Sequence, residues 1–363
     1  MPSDRSVPVR LVVLFGGQSA EHDVSCTTAA HVLAAVDPER YQVEPVAITR
    51  TGEFLLATAA IAALGTDPSE LHSLPVAGEP VEATAVVAPV EGAVTVVLPL
   101  LHGPLGEDGT VQGMLELAGV PYVGSGVLGS AVAMDKAMTK TVLAAHGLPQ
   151  ARWLAVNQFD VDADAALVAK TAAEELGLPV FVKPANMGSS VGVSKATDEA
   201  GIVAALAEAL RYDEVAVVEE AVEAREIELA VLGNHDLAVS IPGEIVPGAE
   251  FYDYNDKYHD GNAELLIPAP LDDDEIERFQ QLAGQAYRAL RVEGMARADF
   301  LYEEGGRGPL VNELNTIPGF TPISMYPKLW EASGLSYPDL IDRLIDLAIE
   351  RHDRRATKRI TDH

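Results

Sequence analysis

Apolar residues run almost unbroken over 9–15 and again over 94–100, the first ending at Gly16-Gly17 and the second at His102-Gly103. Short β-branched runs closed by glycine are the pattern of strands buried on both faces. A third such run covers 43–49, and helices are predicted over 21–36 and 110–118. Strands alternating with helices predict a parallel sheet covered on both sides. Such a sheet takes ligands at the carboxyl ends of its strands, where Gly16-Gly17 and His102-Gly103 fall.

The pattern changes at 120–129 (VPYVGSGVLG), a stretch of glycines and turn formers that marks a boundary. Helices are predicted beyond it over 134–146, 164–176 and 198–210, with a strand over 180–183 and a loop over 184–190 between the last two. A strand over 215–219 opens the final block. There, runs over 227–232 and 235–241 flank Gly233-Asn234 as a hairpin, and 297–302 and 310–315 flank a second turn over 303–309. Helices follow near 273–290 and 337–351. The expected division is 1–125, 126–218 and 219–363, α/β in the first part and α+β in the later ones. Internal repeats, low-complexity tracts and heptads are absent from the sequence.

The chain has 363 residues, 48% of them hydrophobic, enough for a real core spread over more than one domain. Charge alters the picture further: 55 Asp and Glu against 25 Lys and Arg leave a formal −30. So acidic a surface argues against nucleic acid and anionic lipid as partners, and it makes each well-placed Lys or Arg informative. Basic residues gather at the end (Arg351, Arg354, Arg355, Lys358, Arg359), which reads as a frayed helix terminus. The single cysteine, Cys26, excludes an internal disulfide and a multi-cysteine zinc site. Residues 1–10 carry no apolar leader core, and no run reaches the ~18 apolar residues of a membrane span, so a cytoplasmic location is expected.

No glycine is followed by lysine, which removes the Walker A loop, and HExxH does not occur. The best phosphate-binding candidate is FVKPANMGSSVGVSK (181–195). A strand delivers Lys183, and Gly188, Ser189, Ser190 and Gly192 make a small-residue loop whose N–H groups can approach phosphate oxygens. A plain Gly/Ser surface turn fits the segment equally well. In the last hairpin, Arg297 and Asp299 share one strand face, as do Glu313 and Asn315. If the strands pair, Asp299, Glu313 and Asn315 converge as hard oxygen donors suited to Mg2+. The alternative is a polar sheet face balanced by Arg297. Between these segments, Glu219, Glu220, Ala221 and Val222 form a strand running into a linker that offers main-chain groups to an adenine edge, with Glu226 available to ribose hydroxyls.

The order of Lys136 (in MDKAMTK), Lys183 with its loop, Glu219–Val222, Glu226, Arg297/Asp299 and Glu313/Asn315 resembles the ATP-grasp fold. More narrowly, FGGQSAEHDVS (15–25), LHGPLGEDGTVQG (101–113), FYDYNDKY (251–258) and NELNTIPGFTPISM (312–325) resemble the D-alanine–D-alanine ligases, over about residues 9–350. The resemblance implies an ATP-grasp fold preceded by a Rossmann-like N-terminal domain carrying the first D-alanine site and a homodimer surface. It implies ATP, two Mg2+ ions with Mn2+ as a substitute, and two molecules of D-alanine. Lys136, Lys183, Ser190 and Lys257 correspond to phosphate contacts. Glu219, Glu220, Ala221, Val222, Glu226 and Asn312 correspond to the rest of the nucleotide site. Many members carry Lys where this chain has Glu220, which puts a side-chain contact there in doubt. Asp299, Glu313 and Asn315 correspond to the metal ligands.

By the same resemblance, Glu21 holds the first D-alanine's ammonium, His102 helps position it, and Arg297 and the Gly319 N–H face the tetrahedral oxyanion. Ser324 and Met325 belong to the second subsite. A mobile loop over 251–269 closes the site, with Tyr258 linked to Ser189 and Glu21. Tyr258 favours D-alanine over D-lactate as the second substrate. The depsipeptide ligase, or another ATP-grasp carboxylate–amine ligase, is the runner-up. A nucleotide-binding regulator is disfavoured because every catalytic position holds a competent residue. A sugar- or amino-acid-binding protein would leave the metal cluster unexplained.

Overall fold

The computed structural model describes residues 8–58, 60, 73–246 and 264–359. The first sheet holds β1 (Val9–Gly16), β2 (Tyr41–Ile48), β3 (Phe54–Leu56), β4 (Glu79–Pro80) and β5 (Val94–Pro99) in the order β4-β3-β2-β1-β5. Strands β2, β1 and β5 run parallel, and β3 and β4 add an antiparallel edge. Period-two alternation sends β1 into two cores. Leu11, Val13 and Phe15 join the helix His22–Ala35 and the far helix Tyr337–Ala356, whereas Val12 and Leu14 join the helix Thr110–Ala118. At the carboxyl end, Ser25 Oγ accepts from Gly16 N at 2.8 Å and donates to Leu100 O, tying β1 to the end of β5. Gly16 has φ +90°, and a Cβ there would lie 2.3 Å from Ile48 O, so only glycine lets the chain turn into the site.

The second sheet is antiparallel: β6 (Trp153–Asn157), β7 (Val180–Pro184), β8 (Ser194–Ala196) and β9 (Val215–Glu220), in the order β6-β9-β7-β8. One face, with Val156, Val180, Val182, Ala216 and Val218, packs under the helices Gln158–Leu176 and Glu199–Ala209. The alternate positions Phe181, Lys183 and Glu219 are left for the opposite side.

The third sheet holds β10 (Arg225–Gly233), β11 (Ala238–Val239), β12 (Gly243–Val246), β13 (Glu264–Leu266), β14 (Gly294–Glu303) and β15 (Gly308–Asn315). Its order is β13-β12-β10-β14-β15, with β11 on β10. Ile227, Leu229, Ala298 and Phe300 pack on the helix Asp273–Ala289, so Glu226, Glu228, Arg297 and Asp299 point the other way. No helix among the described residues is long and apolar enough to cross a membrane.

Three expectations need correction. The last helix does not fray at Arg351 but runs to Ala356: Arg351 is buried, donates to Tyr122 O at 2.9 Å and to Gly124 O, and lies 4.2 Å from the Tyr122 ring centroid. Residues 264–269, expected within a mobile loop, instead include β13 and a turn in which buried Ala269 donates its N–H to Pro242 O at 2.8 Å. The hairpin at Gly233-Asn234 forms, but its return strand begins only at Ala238, so the turn is wider than two residues.

Candidate active site

The open faces of the second and third sheets enclose a cavity of about 300 Å3, the low end of small-molecule sites. Lys183, at the end of β7, puts Nζ 3.2 Å from Glu219 Oε2, and Lys140 Nζ lies 3.4 Å from the same oxygen. Burial pushes the Glu219 carboxyl up, but Lys183 and Lys140 outweigh it and hold it at about 2. Burial lowers the Lys140 ammonium despite Glu219. It works the same way on Lys183, where Glu219 and Glu313 win and the value is raised. Lys136 donates from Nζ to Met187 O at 2.6 Å and stands 4.0 Å from Glu313 Oε2, so it braces the Gly/Ser loop and faces the acidic hairpin.

That loop is wound tightly. Ser189 and Ser190 have φ of +47° and +57°, a left-handed conformation that non-glycine residues rarely hold without a structural reason. Ser189 Oγ donates to Glu21 Oε1, which joins the second sheet to the first. Glu21 is pressed from both sides: a Cβ on Gly103 would lie 2.7 Å from Glu21 Oε2, and one on Gly188 2.9 Å. Beside it, Ser19 Oγ donates to His102 O at 2.7 Å, and buried His102 pairs with Glu107 at 3.5 Å and with Ile317 O at 3.0 Å. Burial disfavours a charged His102 ring, but Glu107 and Glu21 carry its pKa above the ordinary value.

On the third sheet, the hairpin places Asp299 opposite Glu313 and Arg297 opposite Asn315. Arg297 grips Asp299 with two hydrogen bonds, Nε to Oδ1 at 2.7 Å and Nη2 to Oδ2 at 2.6 Å. Asn315 Oδ1 accepts from Ile317 N at 3.2 Å. Two carboxylates and an amide oxygen on one face suit a hard divalent cation. Among the described residues, no three His, Cys, Asp or Glu side chains make a ready metal site by themselves. Gly319 and Ser324 adjoin, a Cβ on Gly319 falling 3.1 Å from Ser324 Oγ. Met325, expected to face the substrate, buries its side chain in the main core, leaving only its main chain for that side.

Val222, Glu226 and Asn312 border the cavity. Ala221 N is already committed to Pro179 O at 3.1 Å. Glu220 also borders the cavity, but its carboxylate accepts from Arg152 N at 2.8 Å, from Arg152 Nε at 2.7 Å and from Arg307 Nη1. The Glu220 side chain is therefore committed to an ion-pair clasp with Arg152 and Arg307. Lys257 and Tyr258 lie outside the described residues. Sequence reasoning missed Lys140, Glu107 and Glu228. Lys140 was signalled by its place four residues after Lys136 on one helix, and Glu228 by its alternation with Glu226 on β10.

Two antiparallel sheets closing on a lysine-lined cavity, beside a hairpin of acidic residues, define an ATP-grasp ligase. Solved structures agree. A D-alanine-D-alanine ligase from Coxiella burnetii matches with TM-score 0.79 and 36% identity over 97% of both chains. The VanG D-Ala:D-Ser ligase from Enterococcus faecalis matches with TM-score 0.81 and 32% identity, covering 94% of this chain and 99% of that one. The family patterns described as D-ala D-ala ligase N-terminus and D-ala D-ala ligase C-terminus match residues 10–125 and 142–346. The D-alanine--D-alanine ligase of Geobacillus kaustophilus is 46% identical, over 95% of this chain and 96% of its own length. That of Thermoanaerobacter sp. is also 46% identical, over 95% and 98%. The chain belongs to the D-alanine–D-alanine ligase family.

Proposed function

We infer that this chain is an ATP-dependent, ADP-forming ligase that joins two D-alanines for cell-wall peptidoglycan synthesis. One observation carries the reading: Ser189, on the Gly/Ser loop of the nucleotide cavity, donates to Glu21 of the first domain, so a phosphate cradle and an amino-acid pocket meet at one point. In the proposed roles, Lys136, Lys183 and Ser190 hold phosphates, with Lys257 added from the 251–263 segment. Glu219 to Val222 and Asn312 frame the base, and Glu226 faces the ribose. Glu21 and His102 seat the first D-alanine, while Ser324 and the Met325 main chain receive the second. Residues 1–125 supply the first amino-acid site, and 126–218 and 219–363 the two halves of the nucleotide cleft.

The carboxylate of the first D-alanine attacks the γ-phosphorus and ADP leaves, giving an acyl phosphate. The second D-alanine's amine attacks the carbonyl carbon, phosphate departs with the electron pair of the broken C–O bond, and the proton lost by the attacking nitrogen leaves with it as hydrogen phosphate. Arg297 and the Gly319 N–H are aimed at the oxyanion formed in between, a contribution of ~3–4 kcal/mol per donor in comparable sites. Asp299, Glu313 and Asn315 would hold the divalent metal. Two Mg2+ ions, replaceable by Mn2+, would share the charge of the transferred phosphoryl group. Tyr258 would exclude water by closing against Ser189 and Glu21.

The need for ATP supports a cytoplasmic site of action. Leu117, 93% exposed, with exposed Leu105, supports a homodimer through the first domain. Phosphate release with ATP, Mg2+ and D-alanine tests the function, with L-alanine, D-serine, and D-lactate plus D-alanine run in parallel and products weighed. D-alanyl-D-alanine made only from the D-isomer is expected. No ADP from folded, ATP-binding protein would overturn the reading, and a D-alanyl-D-lactate product would favour the depsipeptide reading.

A further inference from the structure

Arg297 faces two acids, and only one of them belongs to the expected machinery. Its Nε bonds Asp299 Oδ1 at 2.7 Å and stands 3.0 Å from Glu228 Oε2, while Nη2 holds the other Asp299 oxygen at 2.6 Å. The register explains the crowding. Glu228 on β10 lies opposite Asp299 on β14, which lies opposite Glu313 on β15, so three carboxylates form a row across three strands. Directly opposed like charges on a sheet face repel and need a cation between them. Arg297, two residues before Asp299, is that cation, and the Glu228 and Asp299 side chains it serves are only 8% and 12% exposed.

Both oxygens of Asp299 are bound by Arg297, so a divalent cation that takes one of them competes with the guanidinium for the charge of the same carboxylate. An arginine freed inside this buried row would need another acid to stay aimed at the cavity. We propose that Glu228 is a positioning residue that takes over the Arg297 guanidinium when Asp299 turns to the metal, so that ion binding and oxyanion stabilisation do not compete for one side chain. The hand-over is short, because Nε is already within bonding distance of Glu228. Glu228 thus acts on the metal through Arg297 and not as a ligand. This inference rests on the proposed metal-binding role of Asp299.

The test is Mn2+ affinity of the full chain with a non-hydrolysable ATP analogue, free Mn2+ being counted by electron paramagnetic resonance. Glu228→Gln should weaken Mn2+ binding about five- to tenfold, since Arg297 then has only Asp299 to hold. In an Arg297→Ala background the same change should alter affinity by less than about twofold, because the competitor is gone. Equal losses in both backgrounds would make Glu228 a direct electrostatic or ligand partner and overturn the hand-over, as would no loss in either. Asp299→Asn separates the two readings: unchanged Mn2+ affinity there removes the metal site itself. Loss in Asp299→Asn with none in Glu228→Gln removes only the hand-over. Circular dichroism and melting check each variant first. Should Glu228→Gln fail to fold, Glu228→Asp, which keeps the charge but shortens the reach, is expected to show the same dependence on Arg297.

Discussion

The most consequential residue outside the expected set is Lys140. Its ammonium is 2% exposed and shares Glu219 with Lys183. Glu219, held at about 2 against an ordinary 4.5, is the clearest source of acid sensitivity. Because its folded value is the lower one, it stabilises the fold above pH ~4.5, and that contribution of about 3 kcal/mol fades as pH falls toward 2. Lys140→Met leaves Lys183 as the remaining partner. It should cost about 3 kcal/mol at neutral pH and move the onset of acid unfolding to higher pH, read by denaturant titration at several pH values. Gly103→Ala makes a different prediction. The left-handed φ of +73° and a Cβ 2.7 Å from Glu21 Oε2 should push Glu21 off its seat, raising the KM for D-alanine while the KM for ATP holds. Steady-state kinetics against each substrate separates the two. That Lys183, Asp299 and Glu313 face the cavity was legible because strand alternation fixes which face a side chain takes. For Lys140 the spacing from Lys136 was the only signal, and it was not enough, since a lysine on a helix reads as solvated until tertiary packing buries it.

At the level of elements, hydrophobic runs and turn residues predicted most of what forms. Asp164 illustrates both the power and the limit. It was read as a helix start, and its Oδ1 does accept from Leu167 N at 3.0 Å. A further turn capped by Asn157 Oδ1 precedes it, and the helix Gln158–Leu176 breaks at Asp164, where φ is −159°. Asp164→Ala should therefore cost about 1 kcal/mol through the lost cap, measured by thermal or urea unfolding. Short elements escaped because their pairing is entirely non-local: β12 exists through β10 and β13, and its four residues carry no period of their own. The clasp at the cavity mouth belongs to this scale. Glu220 ends β9, Arg307 sits in the β14–β15 turn, and Arg152 also donates to Glu175 O and Leu176 O at a helix end. With Arg152 and Arg307 58% and 41% exposed, the clasp adds little to stability but sets how the two sheets meet. Arg307→Ala is expected to raise the KM for ATP by no more than about fivefold with the melting temperature nearly unchanged.

For the whole molecule, the boundary at 120–129 left open how the first domain packs on the rest, and the core answers that. Leu11, Val13 and Phe15 share one core with Leu340, Leu344 and Ile345 of the last helix, and with Tyr326 and Trp330 before it. Arg351 fastens this arrangement, bonding the Tyr122 and Gly124 carbonyls and stacking on the Tyr122 ring, while Arg355 pairs with Glu116. Composition hid this, because a basic tail on an acidic chain looks like a solvated end. A core shared by the first strands and the last helix predicts that the N-terminal sheet does not melt separately from the C-terminal helices. Arg351→Met would strip two buried carbonyls of a charged donor, at about 1.5–3 kcal/mol each. It should lower the melting temperature of the first domain and of the nucleotide cleft together. Calorimetry of the variant, with tryptophan fluorescence reporting on Trp330 and Trp153, reads both regions at once. Coincident shifts are the expected result, and a first domain that melts early while the cleft transition stays in place would show that the shared core does not couple them.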